Sequence, residues 1–267
     1  MIFYLIFFLL VLIYYYYFYN QKIKFLTKSQ ACKVLKYKPY FDNFNQYDLK
    51  VRNCKDKNQC MNHYCKNVKS FSSKEKKVIT NFINKIKNHP RLKPYNWRFI
   101  RVKDIENGYP HTQKDSIIIS DSFMNEIIEL NGSSTLIHEQ IHILQRIAPK
   151  KMNQHLKQVL HFEPVKNIKG LDKYLSRMRS NPDEDPNQVW IYKNYLLPLC
   201  LYHQNPNQLN DAGYYGLKIK NNEIISDLIP LHHFKDYKHL KLGKNYYNAY
   251  EVQAEYLEQQ ISKDIFG

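Results

Sequence analysis

The stretch Ser133 to Arg146 reads SSTLIHEQIHILQR and predicts the helix around which we expect the chain to fold. Ser133 or Ser134 can cap its N-terminus, and Pro149 follows its expected end near Ile147. Apolar residues flank its polar positions: Leu136, Ile137, Ile141, Ile143 and Leu144. We therefore expect the helix to be buried, and buried histidines need polar partners.

Two of those histidines stand four positions apart in the pattern His138-Glu139-x-x-His142. Residues at this spacing share one face of a helix, so both imidazoles can bind one Zn²⁺ ion at about 2.0–2.1 Å. Glu139 then reaches the open metal position, where it can accept a proton from a zinc-bound water. The alternative interpretation is an amphipathic helix whose histidines are hydrogen-bonded core residues.

A catalytic zinc site needs a third protein ligand, and the last predicted helix, Ala249 to Ile261, offers Glu251 and Glu255 on one face. One of them can bind zinc while the other orients a liganding histidine through its free N–H. We predict that Glu251 is the ligand and that Glu255 is the orienting residue. Glu255 itself, Glu163 and Asp211 are the alternative third ligands.

The order of HExxH and a downstream pair of glutamates resembles the gluzincin group of zinc metallopeptidases. The resemblance implies an α+β, zincin-like metallopeptidase domain with a small sheet, an active-site helix and a mostly helical C-terminal part. It also implies one zinc ion held by His138, His142 and Glu251, with Glu255 supporting a histidine. Asn248 stands three positions before Glu251, whereas the family has it directly before the ligand.

Two further resemblances concern composition and one alternative ligand. The excess of Lys, Asn, Ile and Tyr, with the apolar N-terminus, is similar to predicted membrane-anchored zinc peptidases of giant DNA viruses. The segment 211–216 reads DAGYYG and resembles the D-x-x-Y-G element of aspzincin peptidases, with one extra residue.

The expected activity is hydrolysis of peptide bonds in a protein or peptide substrate, with Glu139 as the general base. A donor must also stabilise the oxyanion, and Tyr215 is our prediction for that role. The other downstream candidates are Tyr214, His203, His232 and His233.

The N-terminus carries an unbroken apolar and aromatic run from Ile2 to Tyr19. As a helix it would extend roughly 27 Å, close to the thickness of the hydrocarbon core. We predict a single-pass transmembrane anchor over residues 1–20, with a signal peptide or a buried helix as alternatives. Lys22, Lys24 and Lys28 follow it, so the remaining chain is expected in the cytosol or in a virion interior.

Residues 21–71 are polar, carry four of the five cysteines and predict a juxtamembrane segment with little regular structure. The odd cysteine count of the whole chain, five, is typical of reduced thiols, with a small zinc site or disulfides among these four as alternatives. Residues 72–267 form the predicted zincin-like catalytic domain. Within it we predict strands at Trp97–Val102 and Ser116–Ser120, mostly helix over 153–180 and a helix over 189–197. Over 203–247 we predict irregular structure with a short strand pair around Gly216–Ile225.

The chain has 40 Lys and Arg against 24 Asp and Glu, a formal net charge of +16. Such a charge permits nucleic acid as a partner, but the lysines are spread along the chain and no known nucleic-acid module surrounds them. Nucleic acid is therefore disfavoured without being excluded. The alternative functions are a catalytically inactive zincin-like structural or interaction protein and a basic, membrane-tethered nucleic-acid-binding module.

Overall fold

The computed structural model describes residue 4 and residues 23–92, 95–183, 188–238, 240 and 247–267. From residue 23 onward its α-helices are α1 (Lys28–Leu35), α2 (Lys38–Asp42), α3 (Gln46–Val51), α4 (Lys57–Lys66), α5 (Ser73–Ile86), α6 (Asp121–Glu129), α7 (Thr135–Ile147), α8 (Pro149–Gln158), α9 (Asp172–Leu175), α10 (Lys235–Lys238) and α11 (Ala249–Phe266). Its strands are β1 (Ile23–Phe25), β2 (Val68–Lys69), β3 (Trp97–Val102), β4 (His111–Gln113), β5 (Ser116–Ile119), β6 (Phe162–Val165), β7 (Val189–Tyr192), β8 (Leu196–Tyr202), β9 (Ala212–Lys220), β10 (Glu223–Ile224) and β11 (Ile229–Pro230).

Strands β1 to β5 form a five-stranded sheet within the described residues, with the order β1-β3-β5-β4 and with β2 beside β3. Strand β3 runs parallel to β1 and β5, while β4 is an antiparallel edge strand. The predicted strands at β3 and β5 are confirmed. Ile117, Ile118 and Ile119 of β5 are fully buried, so both faces of this sheet are covered.

The two faces of the first sheet carry different groups of helices. One face packs against α5, α6, α7 and α11, in a core that includes Phe99, Ile117 and Leu136. The other face packs against α1 to α4, in a core that includes Ile100 and Ile118. Adjacent strand residues therefore point to opposite cores, as the period of a strand requires.

Residues 23–71 are structured, which corrects the prediction of little regular structure over 21–71. Side-chain caps explain where the helices begin: Thr27 caps α1, Asn45 caps α3 and Asp56 caps α4. The segment lies on the same sheet as the residues that follow it, so the predicted boundary between 71 and 72 separates two parts that pack together.

Four of the five cysteines form disulfides, which corrects the expectation of reduced thiols. Cys32 of α1 is bonded to Cys65 of α4, and Cys54 is bonded to Cys60. The first bond connects two helices, and the second connects the loop after α3 to α4, on the side that covers one face of the first sheet. The alternative of a small zinc site on these cysteines does not fit this pairing, because a disulfide sulfur is not a thiolate ligand.

Strands β6 to β11 form a second, antiparallel six-stranded sheet within the described residues, with the order β10-β9-β8-β7-β6 and with β11 beside β9. The prediction of a mostly helical C-terminal part is therefore wrong. Strands β7 and β8 replace the predicted helix over 189–197. The hairpin of β9 and β10 confirms the predicted strand pair around Gly216–Ile225, although β9 already begins at Ala212, and β11 lies where irregular structure was predicted. Helix α8 ends at Gln158, and β6 follows within the predicted helical stretch 153–180.

Turn geometry explains this difference. Lys193 and Asn194 both adopt left-handed backbone angles, with φ of 47° and 61°, between β7 and β8. Asn221 and Asn222 do the same between β9 and β10, with φ of 51° and 59°. Two successive left-handed residues are the mark of a tight hairpin turn, and asparagine tolerates that conformation. The asparagines therefore mark hairpins in a stretch whose apolar runs alone suit either helix or strand.

No helix within the described residues is long and apolar enough to cross a membrane. This finding corrects the predicted N-terminal transmembrane helix and the predicted single-pass membrane location. The run Ile2–Tyr19 and Lys22 lie outside the described residues, except for Tyr4. The α+β class is confirmed by the two sheets and their helices.

Helix α7 begins directly after a turn that its sequence requires. Gly132 has a φ of +135°, which side-chain-bearing residues rarely adopt, and a Cβ there would collide with the ring of Phe82. The backbone N–H of Thr135 donates to Ser133 Oγ at 3.3 Å at the helix start. The turn and the helix start together fix α7 against the sheet and beside α11.

Candidate metal centre

Helix α7 confirms the predicted helix, and it buries most of its side chains. His142 is 1% exposed and Glu139 is 3% exposed. The Nε2 atoms of His138 and His142 lie 3.1 Å apart, because residues four positions apart lie one above the other on a helix. Two imidazole nitrogens therefore meet at one point beside the helix.

Helix α11 brings Glu251 to the same point. Asn248 caps this helix by accepting the backbone N–H of Glu251 at 2.8 Å, which places Glu251 in the first turn. Glu251 Oε2 lies 3.3 Å from His138 Nε2 and 3.7 Å from His142 Nε2. The close packing of α11 on α7 thus unites residues that are distant in the sequence.

The spacing of the three atoms fits a tetrahedral metal ion. Ligands about 2.05 Å from a tetrahedral zinc ion stand roughly 3.3 Å from each other. The three observed separations are 3.1, 3.3 and 3.7 Å. His138, His142 and Glu251 therefore form a possible metal-binding group that leaves a fourth ligand position open.

Hydrogen bonds fix the orientation of His142. Its Nδ1 lies 2.8 Å from the side-chain oxygen of Gln145, which accepts the Nδ1 proton. Gln145 in turn donates from Nε2 to the carbonyl oxygen of Tyr250 at 2.9 Å, so its side-chain oxygen must face His142. A proton on Nδ1 leaves the lone pair of Nε2 available for a metal ion.

Glu258, rather than Glu255, is the nearest carboxylate to the other nitrogen of His138. His138 Nδ1 lies 3.2 Å from Glu258 Oε2 and 3.9 Å from Glu255 Oε2. Only the first separation is a hydrogen bond, so the orienting role predicted for Glu255 falls geometrically to Glu258. The helical spacing of Glu251, Glu255 and Glu258, with its seven-residue span, is the sequence signal that could have identified it.

Asn181 holds the other oxygen of Glu251. Its Nδ2 donates to Glu251 Oε1 at 2.7 Å and to the hydroxyl of Tyr247 at 2.8 Å. Glu251 is therefore held with Oε2 directed at the two histidines. Sequence analysis missed Asn181, because it lies in a loop whose position depends on distant contacts.

The electrostatics of the ligands reflect their mutual proximity. Burial raises the pKa of Glu251, but His142 and His138 lower it by more, so the net pKa lies well below the usual value. Burial lowers the pKa of His138, while hydrogen bonds to Glu251 and Glu258 raise it above the usual value. The carboxylates thus favour positive charge at this point, whether from protons or from a metal ion.

Glu139 faces the same space without a counterion. Its Oε2 is buried and has no hydrogen-bond partner among the described residues. Burial, with further contributions from Asp183 and Glu251, raises its pKa well above the usual value, against the opposing effects of His138 and Arg146. Glu139 lines a cavity of about 300 Å³ together with the three ligand residues. A carboxylate there is suited to accept a proton inside the cavity.

Tyr214, and not Tyr215, lines this cavity, which is a correction of the residue predicted as the oxyanion donor. Adjacent residues of β9 point to opposite sides, and Tyr215 packs with Leu199 and Leu217 in the core on the other face. The ring of Tyr214 stacks on Tyr247 with centroids 4.9 Å apart. The remaining predicted donors are not among the cavity-lining residues: His203, His232 and His233.

Of the alternative third ligands, Glu255 lies on the Nδ1 side of His138, whereas Glu163 and Asp211 have partners elsewhere. Glu163 lies on β6 and pairs with Lys157, with 3.1 Å between Oε2 and Nζ. Asp211 accepts the backbone N–H groups of Asn207 and Gln208 at 2.7 and 3.1 Å, as a turn residue does. Both carboxylates therefore have local structural partners.

Comparisons of this chain with protein-family models, with curated proteins and with solved structures found no match.

Proposed function

We propose that the protein is a zinc-dependent metallopeptidase of the gluzincin type. His138, His142 and Glu251 hold one zinc ion in this proposal, and Glu139 is the general base. The observation that carries it is the position of Glu139, which lines the cavity together with the three ligand residues and whose Oε2 has no hydrogen-bond partner among the described residues. Proximity of a base to an open metal position is the arrangement that metal-assisted hydrolysis requires.

Each residue has a defined task in this mechanism. Zinc, when bound, polarises the scissile carbonyl and lowers the pKa of a water molecule. Glu139 takes a proton from that water and delivers it to the leaving amine. Gln145 and Glu258 keep the Nε2 atoms of the two histidines directed at the metal position.

The burial of Glu139 supports its role as the general base. Its buried environment raises its pKa well above the usual value, and a carboxylate with a raised pKa is a stronger proton acceptor. Three tyrosines line the cavity, Tyr109, Tyr214 and Tyr247, and Tyr214 becomes our candidate for the donor that stabilises the oxyanion. The substrate in this proposal is a peptide bond in a peptide or protein.

The test is the Glu139→Gln variant, measured beside wild type on a broad peptide library with mass-spectrometric detection. We expect one zinc ion per chain in both proteins, and cleavage by the variant about 10²- to 10⁴-fold slower. Glu163→Gln is the matched control, because that residue is exposed and pairs with Lys157 away from the cavity.

Two results would contradict the proposal in different ways. If Glu139→Gln cleaves as fast as wild type, the residue is not the general base. If wild type holds stoichiometric zinc and cleaves no peptide of the library, the chain is a metal-binding protein without peptidase activity.

A further inference from the structure

Arg179 is a cation of the candidate metal-site cavity that has no acidic ion-pair partner within the part of the chain that the structure describes. Two acidic residues of the cavity lining have arginine partners: Glu106 pairs with Arg52 at 2.8 Å and Asp183 with Arg146 at 3.5 Å. No carboxylate of the described residues forms an ion pair with Arg179, although it lines the same cavity. The cavity therefore contains a positive charge that the described chain does not neutralise.

A tyrosine side chain and a backbone hydrogen bond to a strand hold Arg179 in place. Its Nη2 donates to the hydroxyl of Tyr247 at 2.9 Å, and its guanidinium lies over the ring of Tyr247, 5.1 Å from the centroid. Its backbone N–H donates to the carbonyl oxygen of Cys200 on β8 at 3.0 Å. An arginine fixed by a ring and a strand loses little conformational entropy when it binds an anion.

The distance from Arg179 to the metal site is bounded by a chain of hydrogen bonds. Arg179 Nη2 contacts the Tyr247 hydroxyl at 2.9 Å. Asn181 Nδ2 contacts that hydroxyl at 2.8 Å and Glu251 Oε1 at 2.7 Å. Up to two residues of extended peptide, at about 3.3–3.6 Å per residue, together with the contact between guanidinium and carboxylate, cover the distance from Arg179 to Glu251.

We propose that Arg179 binds a carboxylate of the substrate, one or two residues from the scissile peptide bond. This inference rests on the proposed peptidase function. The carboxylate can be the free C-terminus of a peptide or the side chain of an aspartate or glutamate. In both cases the guanidinium receives it with two parallel N–H donors.

The cavity favours a carboxylate over a phosphate group. A single guanidinium matches the planar, singly charged carboxylate in a bidentate pair. Glu139 and Glu251 line the same cavity, and a dianionic phosphate would meet stronger repulsion from both. The volume of about 300 Å³ suits one or two amino-acid residues.

The test measures binding, so that it does not depend on turnover. Zinc-loaded Glu139→Gln protein is titrated by calorimetry with four versions of one peptide. The first two differ only at the C-terminus, which is a free acid in one and an amide in the other. The last two are both amidated and carry an internal Asp in one and an internal Asn in the other. We expect at least one carboxylate-bearing peptide to bind about 10- to 100-fold more tightly than its neutral counterpart.

The same titrations on the Arg179→Gln double variant should show no preference, with neutral peptides bound as before. Arg179→Lys keeps the positive charge but loses the two parallel N–H donors. We therefore expect its preference for a carboxylate to be smaller than that of the parent and larger than that of Arg179→Gln. Arg177→Gln is the matched control, because Arg177 donates to the carbonyl oxygen of Tyr202 and is not among the cavity-lining residues. Its preference should equal that of the parent.

The outcomes distinguish a C-terminal carboxylate from a side-chain carboxylate. They also distinguish a failure of the carboxylate inference from a failure of the peptidase proposal. Preference for the free acid identifies the C-terminus as the ligand, and preference for Asp over Asn identifies a side chain. Equal binding of all four peptides, no binding of any, or an unchanged preference in Arg179→Gln contradicts the inference. A wild type that binds with the expected preference but cleaves nothing refutes the peptidase proposal and leaves the carboxylate site intact.

Discussion

Two buried clusters of charge in this molecule differ in whether the chain neutralises them. In the first, Arg52 lies between Asp48 and Glu106 at 3.0 and 2.8 Å, and all three side chains are at most 7% exposed. In the second, the metal site, Glu139 and Glu251 lie beside two histidines, and no Lys or Arg of the described residues forms an ion pair with either carboxylate.

The difference separates a cluster that the chain neutralises itself from a candidate metal-binding cluster. The Arg52 cluster supplies its own counterion and also holds the loop before the metal site, since Ser180 donates its hydroxyl to Asp48 at 2.8 Å. At the candidate metal site no Lys or Arg of the described residues pairs with Glu139 or Glu251, and three ligand atoms lie close to one point. A buried carboxylate is stable when a counterion is present, so protons on the histidines or a bound metal ion must supply the positive charge in this cluster.

The largest expected effect is on stability, from breaking the first cluster. Arg52→Ala leaves two buried carboxylates without a counterion, so the free energy of unfolding should fall by about 3–5 kcal/mol. Urea unfolding with the disulfides intact measures it. Lys169→Ala breaks an exposed pair with Glu223 and should cost at most about 1 kcal/mol. Equal losses in both variants would refute the distinction between buried and exposed pairs.

The second prediction concerns the carboxylate behind His138. Glu258→Gln should weaken zinc binding by about 10- to 100-fold, because the hydrogen bond to Nδ1 orients the ring and raises its basicity. Glu255→Gln is the control and should change the zinc dissociation constant little, since its carboxylate lies 3.9 Å away. Competition with a chelator measures both constants. A larger effect of Glu255→Gln would restore the role predicted from the sequence.

The smallest expected effect is on the free energy of unfolding, which should rise in one cluster and fall in the other. In metal-free protein, Glu139→Gln removes an uncompensated buried charge and should stabilise the fold by roughly 0.5–2 kcal/mol. The corresponding change Asp48→Asn removes a partner of Arg52 and should destabilise it. Thermal unfolding in the presence of a chelator compares them. Destabilisation by both variants would contradict the contrast drawn here between the clusters.

Local patterns account for the parts of the fold that sequence analysis predicted. Helix α7, strand β3 and strand β5 have regular apolar spacing and clear boundaries, and the structure confirms them. Most of the second sheet was missed because short apolar runs such as Val189–Leu197 suit a helix or a strand equally well. The left-handed asparagines identify these runs as strands only once two neighbouring runs are paired in a hairpin.

The candidate site also contains residues that local patterns predict and residues that only tertiary packing brings together. His138, Glu139 and His142 were predictable because their geometry is set within one helix turn. Glu251 could be proposed because a second helix carried paired carboxylates. Asn181 lies in a loop, so its contact with Glu251 depends on tertiary packing that no local pattern encodes.

Zinc binding by metal-free protein tests the central claim most directly. Calorimetric titration of wild type should show one zinc ion per chain. In His142→Ala the affinity should fall beyond the roughly 10- to 100-fold that loss of an orienting hydrogen bond costs, because a ligand itself is gone. A wild type that binds no zinc, or a His142→Ala variant that binds it as tightly as wild type, would contradict the claim.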